Sequence, residues 1–323
     1  MNEELQGTWN SSHTTFTFWG FPEIHQYRRL LFLPFAVTYL LSLAGNFLLI
    51  YVIGTCQSLQ APMYKLISGL AAVNIVVPTA IVPNMLLGFL FDWNQISLAG
   101  CLTQMFVTHF FSSLESTILL AMALDRLVAI SHPLRYTEIM DTWVFVKLLV
   151  FMLVRSGAIM ATLVILAGSL VFCRSNVIRH SYCDHMALVS LACDSTTKND
   201  IMGMVVIVSF VGIDISVIVF SYVSILNVVL RAGEERWKAF HTCGTHLMVM
   251  LSFYLVGSVT FLSHNIGIAI PTDMNTFLGI LYILFPATVN PIIYGVRTKE
   301  IRTAVIKMFK KRSGKVLDKN FFK

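Results

Sequence analysis

Residues 119–136 read LLAMALDRLVAISHPLRY, and the reading of this stretch decides the fold. An apolar, helix-like run ends in the adjacent pair Asp125–Arg126, resumes over Leu127-Val128-Ala129-Ile130 and closes on His132-Pro133-Leu134-Arg135-Tyr136. Ionised side chains at the end of a membrane-length apolar segment are costly unless they sit at the interface or serve a function. Taken alone, the pair reads as an interfacial anchor that fixes the depth of a helix.

Outward from this stretch the chain stays apolar. Hydrophobic residues make up 56% and charged residues 12% of its 323 positions, with a mean hydropathy of +0.73. That leaves too little polar surface for a soluble protein of this length. Several windows exceed the roughly 18 apolar residues that cross a bilayer. The net charge is +6, and ten of the 23 Lys and Arg follow Tyr294, with the rest scattered between apolar blocks. This is the charge asymmetry of a cytoplasmic membrane face, so no nucleic-acid partner is expected.

Residues 1–29 are polar with aromatics and lack the short apolar core and small-residue cleavage site of a signal peptide. Asn10-Ser11-Ser12 is the single N-x-S/T sequon, a glycosylation acceptor if it is lumenal. Seven apolar spans follow, at about 30–54, 65–91, 98–131, 144–172, 201–230, 239–262 and 275–296. The basic run 298–312 carries Ile301, Val305, Ile306 and Phe309 every three or four residues, which predicts an amphipathic helix on the lipids of the inner leaflet. The last ten or so residues read as a disordered tail. The expected architecture is therefore an all-α membrane protein: an extracellular N-terminus over 1–29, a seven-transmembrane helix bundle over 30–296, and a short amphipathic eighth helix with a cytoplasmic tail over 297–323. With the N-terminus outside, 17 of the 23 Lys and Arg fall on the inner side, five on the outer side, and Arg155 within the fourth span. The positive-inside rule agrees with that orientation in a plasma membrane.

Polar residues inside the spans are the candidates for function. At 100° per residue, His109, Ser113 and Ser116 share one stripe of the third span, with Met105 and Ser112 beside it. Glu115 lies off that stripe, nearly in line with Arg126. One face thus reads as a ligand wall and another as a polar interior seam, although small hydroxyl residues also serve plain helix packing. Arg155 lies deep in the fourth span, where a charge costs at least ~2.5 kcal/mol, and no role for it follows from the sequence. Pro78 and Pro83 should kink the second span, and Pro291 creates a weak point in the seventh.

The loop from Cys173 to Ile201 is long enough to be functional rather than connective. It holds Cys173, Cys183 and Cys193, and with Cys101 these four cysteines face the oxidising side. They allow three connectivities. Cys56 and Cys243 fall on the cytoplasmic side as free thiols. His180, Cys183, Asp184 and His185 offer metal-ligand chemistry, but a disulfide takes up Cys183. His241, Cys243 and His246 do not share one helical face. No metal site is expected at either place.

MALDRLVAISHPLRY resembles the MAYDRYVAICHPLRY signature of the olfactory receptors, a family of G-protein-coupled receptors, with Leu124 and Leu127 where the family usually has Tyr. The likeness extends from Gly45 to Arg302. LAGNFLLIYVI carries the first-helix GN motif at Gly45-Asn46, and PMYKLISGLAAVN resembles PMYxFLSxLAxxD with Asn74 in place of Asp. SYVSIL from Ser221, KAFHTCGTHL over 238–247, Phe253-Tyr254 and Asn290-Pro291-Ile292-Ile293-Tyr294 continue the series. LVRSGAIM, HMA-LAC and YGVRTKEIR are similar to the fish-like class I branch.

The resemblance implies bridges Cys101–Cys183 and Cys173–Cys193. It implies a cytoplasmic switch of Asp125, Arg126, Asn290, Pro291 and Tyr294, with Arg126 freed on activation to meet a G protein of the stimulatory olfactory type that raises cyclic AMP. A small odorant is the implied ligand, against a wall of Met105, His109, Ser112, Ser113, Tyr254, Ser258, Phe261 and Asn265. In some fish-like-class receptors an Arg near the top of the sixth helix pairs with carboxylate ligands, and Asn265 stands there instead. Asn46, Asn74 and Glu115 form the polar seam. With Asn74 replacing the Asp that joins Glu115's counterpart around sodium, any sodium site is weak and no other cofactor is expected. Sensory cilia are the implied location.

Other classes fit less well. A transporter predicts inverted repeats, and the chain has no internal repeat. A membrane hydrolase needs a nucleophile or metal context, and neither GxSxG nor HExxH occurs, so the chain is not read as an enzyme. A non-olfactory chemosensory receptor for a small metabolite is the alternative.

Overall fold

The computed structural model describes residues 12–231, 243–255, 257 and 271–320. It is a bundle of long helices under a small three-stranded sheet. The helices are α1 (Arg28–Thr55), α2 (Pro62–Phe91), α3 (Leu98–Ser131), α4 (Thr142–Gly168), α5 (Thr197–Val206, continuing through a π-helical stretch Ile207–Ile213 into Asp214–Arg231), α6 (described over Cys243–Leu255), α7 (Thr272–Arg297) and α8 (Lys299–Asn320). Among the described residues, α1, α2, α4, α5 and α7 are long and apolar enough to cross a membrane. Helix α3 has the length, at 34 residues, but buries Gln104, Thr108, Ser113, Glu115, Ser116, Thr117 and Asp125 along its faces. Of these, Gln104, Glu115 and Ser116 hydrogen-bond neighbouring helices, which membrane bundles use as glue, while Ser113 and Thr117 donate to carbonyls of α3 itself.

Local signals explain the ends. Ser97 caps α3 by accepting from Gly100 N at 3.1 Å, and Asp141 caps α4 by accepting from Val144 N at 2.7 Å. Pro62 opens α2, where its missing N–H costs nothing, and the helix stays continuous through Pro78 and Pro83. Asp92 closes it in the left-handed region at φ 60° and pairs with Arg28 at the start of α1. Two expected ends differ: α4 stops at Gly168 rather than near 172, and α8 continues to Asn320 across the expected tail.

Buried faces of α1, α2, α3, α6 and α7 share the main core, including Leu66, Leu70, Ile118, Met122, Val249 and Tyr294. The Gly45-Asn46 pair has a direct use. A Cβ at Gly45 would come within 3.0 Å of Pro291 Cγ, so the glycine lets α1 and α7 approach. Asn46 Nδ2 then donates to Ala287 O at 2.7 Å and to Ser42 O at 2.8 Å, stitching the two helices where α7 carries its prolines.

The sheet that caps this end of the bundle was not expected from the sequence. Strand β1 (Thr15–Phe18) lies between β2 (Gln95–Ser97), antiparallel with Phe16 opposite Ile96, and β3 (Val177–Ile178), parallel with Thr17 beside Val177. Phe16 is fully buried, edge-on to Phe172 at 5.4 Å, in a cluster with Cys101, Met105, Cys183 and Leu188. Disulfides join Cys101 to Cys183 and Cys173 to Cys193. Asp273 of α7 accepts from Ile24 N at 3.1 Å, tying the segment that precedes α1 to the start of α7.

Candidate functional site

Three layers of polar side chains run down the bundle axis. The outermost lies under the cap. Cys101–Cys183 draws the loop inwards, and Gln104 Oε1 accepts from Cys183 N at 2.9 Å while its Nε2 donates to Ala80 O at 2.9 Å. The loop residues His180, Ser181, Tyr182 and His185 are all buried. His180 sits edge-on to Tyr182 at 4.2 Å and presses on α7, where a Cβ at Gly279 would come within 2.9 Å of the imidazole. Burial alone pushes the Asp184 carboxyl up, but His180, the Ala187 N–H, His109 and His185 outweigh it and hold it below the usual carboxylate range. Burial lowers His185, against the opposing pull of Asp184 and its bond with Asn199.

Of the expected ligand wall, His109 is partly buried and its Nε2 has no hydrogen-bond partner. Ser112 bonds Tyr282 of α7. Ser113 is buried and donates to Phe110 O at 2.8 Å within its own helix. Met105 lies fully buried in the cap cluster. Ser258, Phe261 and Asn265, and the sequon residue Asn10, lie outside the described residues.

The middle layer is where the structure brings together residues that sequence reasoning left apart. Arg155 of α4 lies 2.8 Å from Asp214 Oδ1 of α5, which is fully buried. Ser116 Oγ of α3 lies 2.7 Å from the other carboxylate oxygen and 2.9 Å from the Tyr254 hydroxyl of α6. Four helices therefore meet at one buried carboxylate. An isolated charge at this depth is expensive, and an opposite charge with hydrogen bonds on the remaining lone pairs offsets the expense. Ser116, grouped with the ligand wall by helical spacing, belongs instead to this junction. The signal that could have found it was the pairing of two lone intramembrane charges, Arg155 and Asp214, of opposite sign.

Nearby on α3, Glu115 accepts from Asn290 Nδ2 of α7 at 3.5 Å, and Asn290 Oδ1 in turn accepts from Ser252 of α6 at 3.4 Å. Asn74 is buried, and its Nδ2 has no hydrogen-bond partner. This seam offers one carboxylate, with an amide N–H already turned towards it. That donor set suits a cation poorly, since hard cations favour several oxygen ligands.

The layer at the end of the bundle away from the cap centres on the stretch 119–136. Asp125 is fully buried, accepts the Tyr136 hydroxyl at 2.6 Å and lies 3.2 Å from Arg126 Nη2. Burial, then the bond to Asp125, pushes the Tyr136 phenol up. Tyr294 is buried with its hydroxyl 3.9 Å from Met122 Sδ, and the His246 ring lies 6.0 Å away. A cavity opens here at the end of the bundle away from the cap, lined by Tyr64, Arg126, His246, Arg297, Lys299 and Arg302 among others. Leu134, on the adjoining turn Pro133–Arg135, is 97% exposed.

Comparison with known proteins matches the olfactory receptor family model over residues 35–312. Olfactory receptor 51E2 of Mus musculus is 39% identical over 303 residues, covering 93% of this chain and 95% of the relative. Olfactory receptor 51E1 of Homo sapiens is also 39% identical, over 300 residues, covering 93% of this chain and 94% of the relative. Among solved structures, squid rhodopsin superposes with a TM-score of 0.70 at 19% identity, covering 88% of this chain and 86% of its own, a likeness of fold.

Proposed function

The chain belongs to the olfactory receptor family of rhodopsin-like G-protein-coupled receptors, and from that premise we propose that it binds a small odorant between its helices beneath the extracellular cap and signals through a stimulatory olfactory-type G protein to raise cyclic AMP. Its relatives are receptors and not enzymes, and the protein is a multi-pass membrane protein. We read the N-terminus as extracellular, the C-terminus as cytoplasmic, and the cilia as its site of action.

One observation carries the mechanism: Ser116 Oγ lies 2.9 Å from the Tyr254 hydroxyl. Three residues above Ser116 on α3 is Ser113, and one turn further up is His109, so a ligand on that wall adjoins the junction that holds α6. A ligand that favours a different arrangement of α3 and α6 shifts the population towards it, by no more than its differential affinity for the two states. At the cytoplasmic end the same helices bound the cavity containing Arg126 and His246. Movement of α6 widens that cavity for the G protein's C-terminal helix, while the exposed Leu134 supplies an apolar contact beside it.

The ligand class follows from Asn265, which donates and accepts hydrogen bonds but forms no ion pair. Together with His109 and Ser112 it favours neutral odorants bearing alcohol, carbonyl or amide groups over short-chain acids. The seam of Asn74, Glu115 and Asn290 is a poor fit to a resting-state sodium ion, and no step depends on one.

The test is a cyclic-AMP reporter assay in cells against a broad odorant panel. A dose-dependent response to neutral odorants that disappears in Arg126→Ala at matched surface expression supports the reading. A response led by carboxylic acids and abolished by Asn265→Ala contradicts the ligand class, and a response that survives Arg126→Ala contradicts the switch.

A further inference from the structure

Helix α5 leaves the α register over Ile207–Ile213 and winds as a π-helix. Such turns are rare, arise mostly as single-turn bulges, and concentrate at functional places. This stretch, IVSFVGI, has no proline to force the change. At its centre two successive carbonyls, those of Ser209 and Phe210, are met by side chains from other helices. Arg155 Nη2 of α4 donates to Ser209 O and lies 3.1 Å from Ser209 Oγ. Ser116 Oγ of α3 lies 3.1 Å from Phe210 O, a contact it shares with Asp214. The guanidinium also stacks over the Phe210 ring, 4.4 Å from its centroid, and its charge faces Asp214 immediately after the π stretch. Among the described residues, the hydrogen bonds, ion pair and ring stacking of Arg155 thus fall on the π stretch or on Asp214, which follows it.

We propose that Arg155 is a positioning residue: with Ser116, it holds α5 in the π register and so decides which side chains of Thr197–Val206 face the interior of the bundle. A π stretch accommodates one more residue than an α-helix making the same connections. Its return to the α register turns everything on its extracellular side by about 100°, the rotation per residue of an α-helix. Met202, Val206 and Phe210 pack in one cluster with Phe106 and Phe110 of α3, while Ile201, Met204, Val205 and Val208 face outwards. A one-residue slip puts neighbours in the places of Met202 and Val206. The exposed link Asp194-Ser195 after the Cys173–Cys193 bridge supplies the slack. Arg155 does not touch the ligand wall, yet on this account it shapes it.

The experiment is intramolecular cross-linking in cell membranes, with Phe106→Cys paired in turn with single cysteines at positions 199–206 and the products read by mass spectrometry. In the otherwise unchanged full-length chain, cross-linking peaks at 202 and 206. The neutral double variant Arg155→Met/Asp214→Leu leaves no unpaired buried charge, and its peaks move by one position. Arg155→Lys, which keeps a cationic donor, retains the original peaks. Ser116→Ala keeps the ion pair while freeing Phe210 O, and serves as the second variant should the double one not reach the membrane. Peaks that stay at 202 and 206 in whichever of the two reaches it overturn the proposal, as does a uniform loss of cross-linking at all positions. The accompanying change in the order of odorant potencies rests on the receptor reading. Cross-linking needs no ligand, so the two can fail separately.

Discussion

Tyr136 donates its hydroxyl to Asp125 at 2.6 Å, so the turn that follows α3 is fastened to the same carboxylate that pairs with Arg126. A hydrogen bond to a charged group is worth about 1.5–3 kcal/mol net. Removing it loosens Asp125 and favours release of Arg126. Tyr136→Phe should therefore raise ligand-free cyclic AMP per surface receptor, by about tenfold for each 1.4 kcal/mol that bears on the resting state. Basal signalling at or below the parent level would show that the bond does not restrain the switch.

The two bridges close loops of very different length, with separations of 82 residues for Cys101–Cys183 and 20 for Cys173–Cys193. Loss of a native bridge costs about 2–5 kcal/mol, more for the longer loop. Cys101→Ser and Cys183→Ser should abolish surface delivery, because Cys183 also anchors the buried loop to Gln104. Cys173→Ser should reduce it less. Flow cytometry of an N-terminally tagged receptor gives the ranking, and equal surface levels for Cys101→Ser and the parent would remove the bridge from the account.

The helices were legible because bilayer thickness imposes length on apolar runs, and α3 was placed at 98–131 without error. The cap was harder to see. Thr15-Phe16-Thr17-Phe18 has the alternation of a strand, but four residues give little signal and their partners are 80 and 160 residues away. Arg155 stood without a role for a related reason. Its partner Asp214 is 59 positions on, and the π stretch before Asp214 shifts the face that helical spacing would assign. The disulfide pairing came from family resemblance, since spacing alone left three choices.

The cap should also be sensitive to acid. His185 is held below its ordinary value of 6.5 by burial, so the folded cap binds fewer protons than the unfolded chain once the pH falls under that value. Its contribution to stability is complete above pH 6.5 and is lost as the pH falls towards the folded value. Asp184, held below its ordinary 3.8, keeps its contribution down to that range and loses it only below. The melting temperature of detergent-solubilised receptor should drop between pH 7.5 and 5.5, and His185→Gln should flatten that drop. An equally steep decline in the variant would assign the acid sensitivity elsewhere.

The polar seam yields the last prediction. Glu115 is buried and, among the described residues, accepts from Asn290 Nδ2 at 3.5 Å, while Asn74, buried on the second helix, contributes no charge. Two carboxylates around a sodium ion would more than neutralise it, whereas one carboxylate and one amide attract it weakly. Restoring the second charge with Asn74→Asp should have opposite consequences in the two salts. In sodium the ion bridges both carboxylates, pins α2 to α3 and lowers basal cyclic AMP. With a bulky organic cation in its place the two charges repel, and the resting state loses support. The parent should show little difference between the salts. Basal and odorant-driven cyclic AMP, measured for both forms while sodium is exchanged, decide the matter. Strong sodium dependence in the parent would mean that Glu115 alone suffices. A mutant that gains none would mean that Asn74 does not face the same space as Glu115.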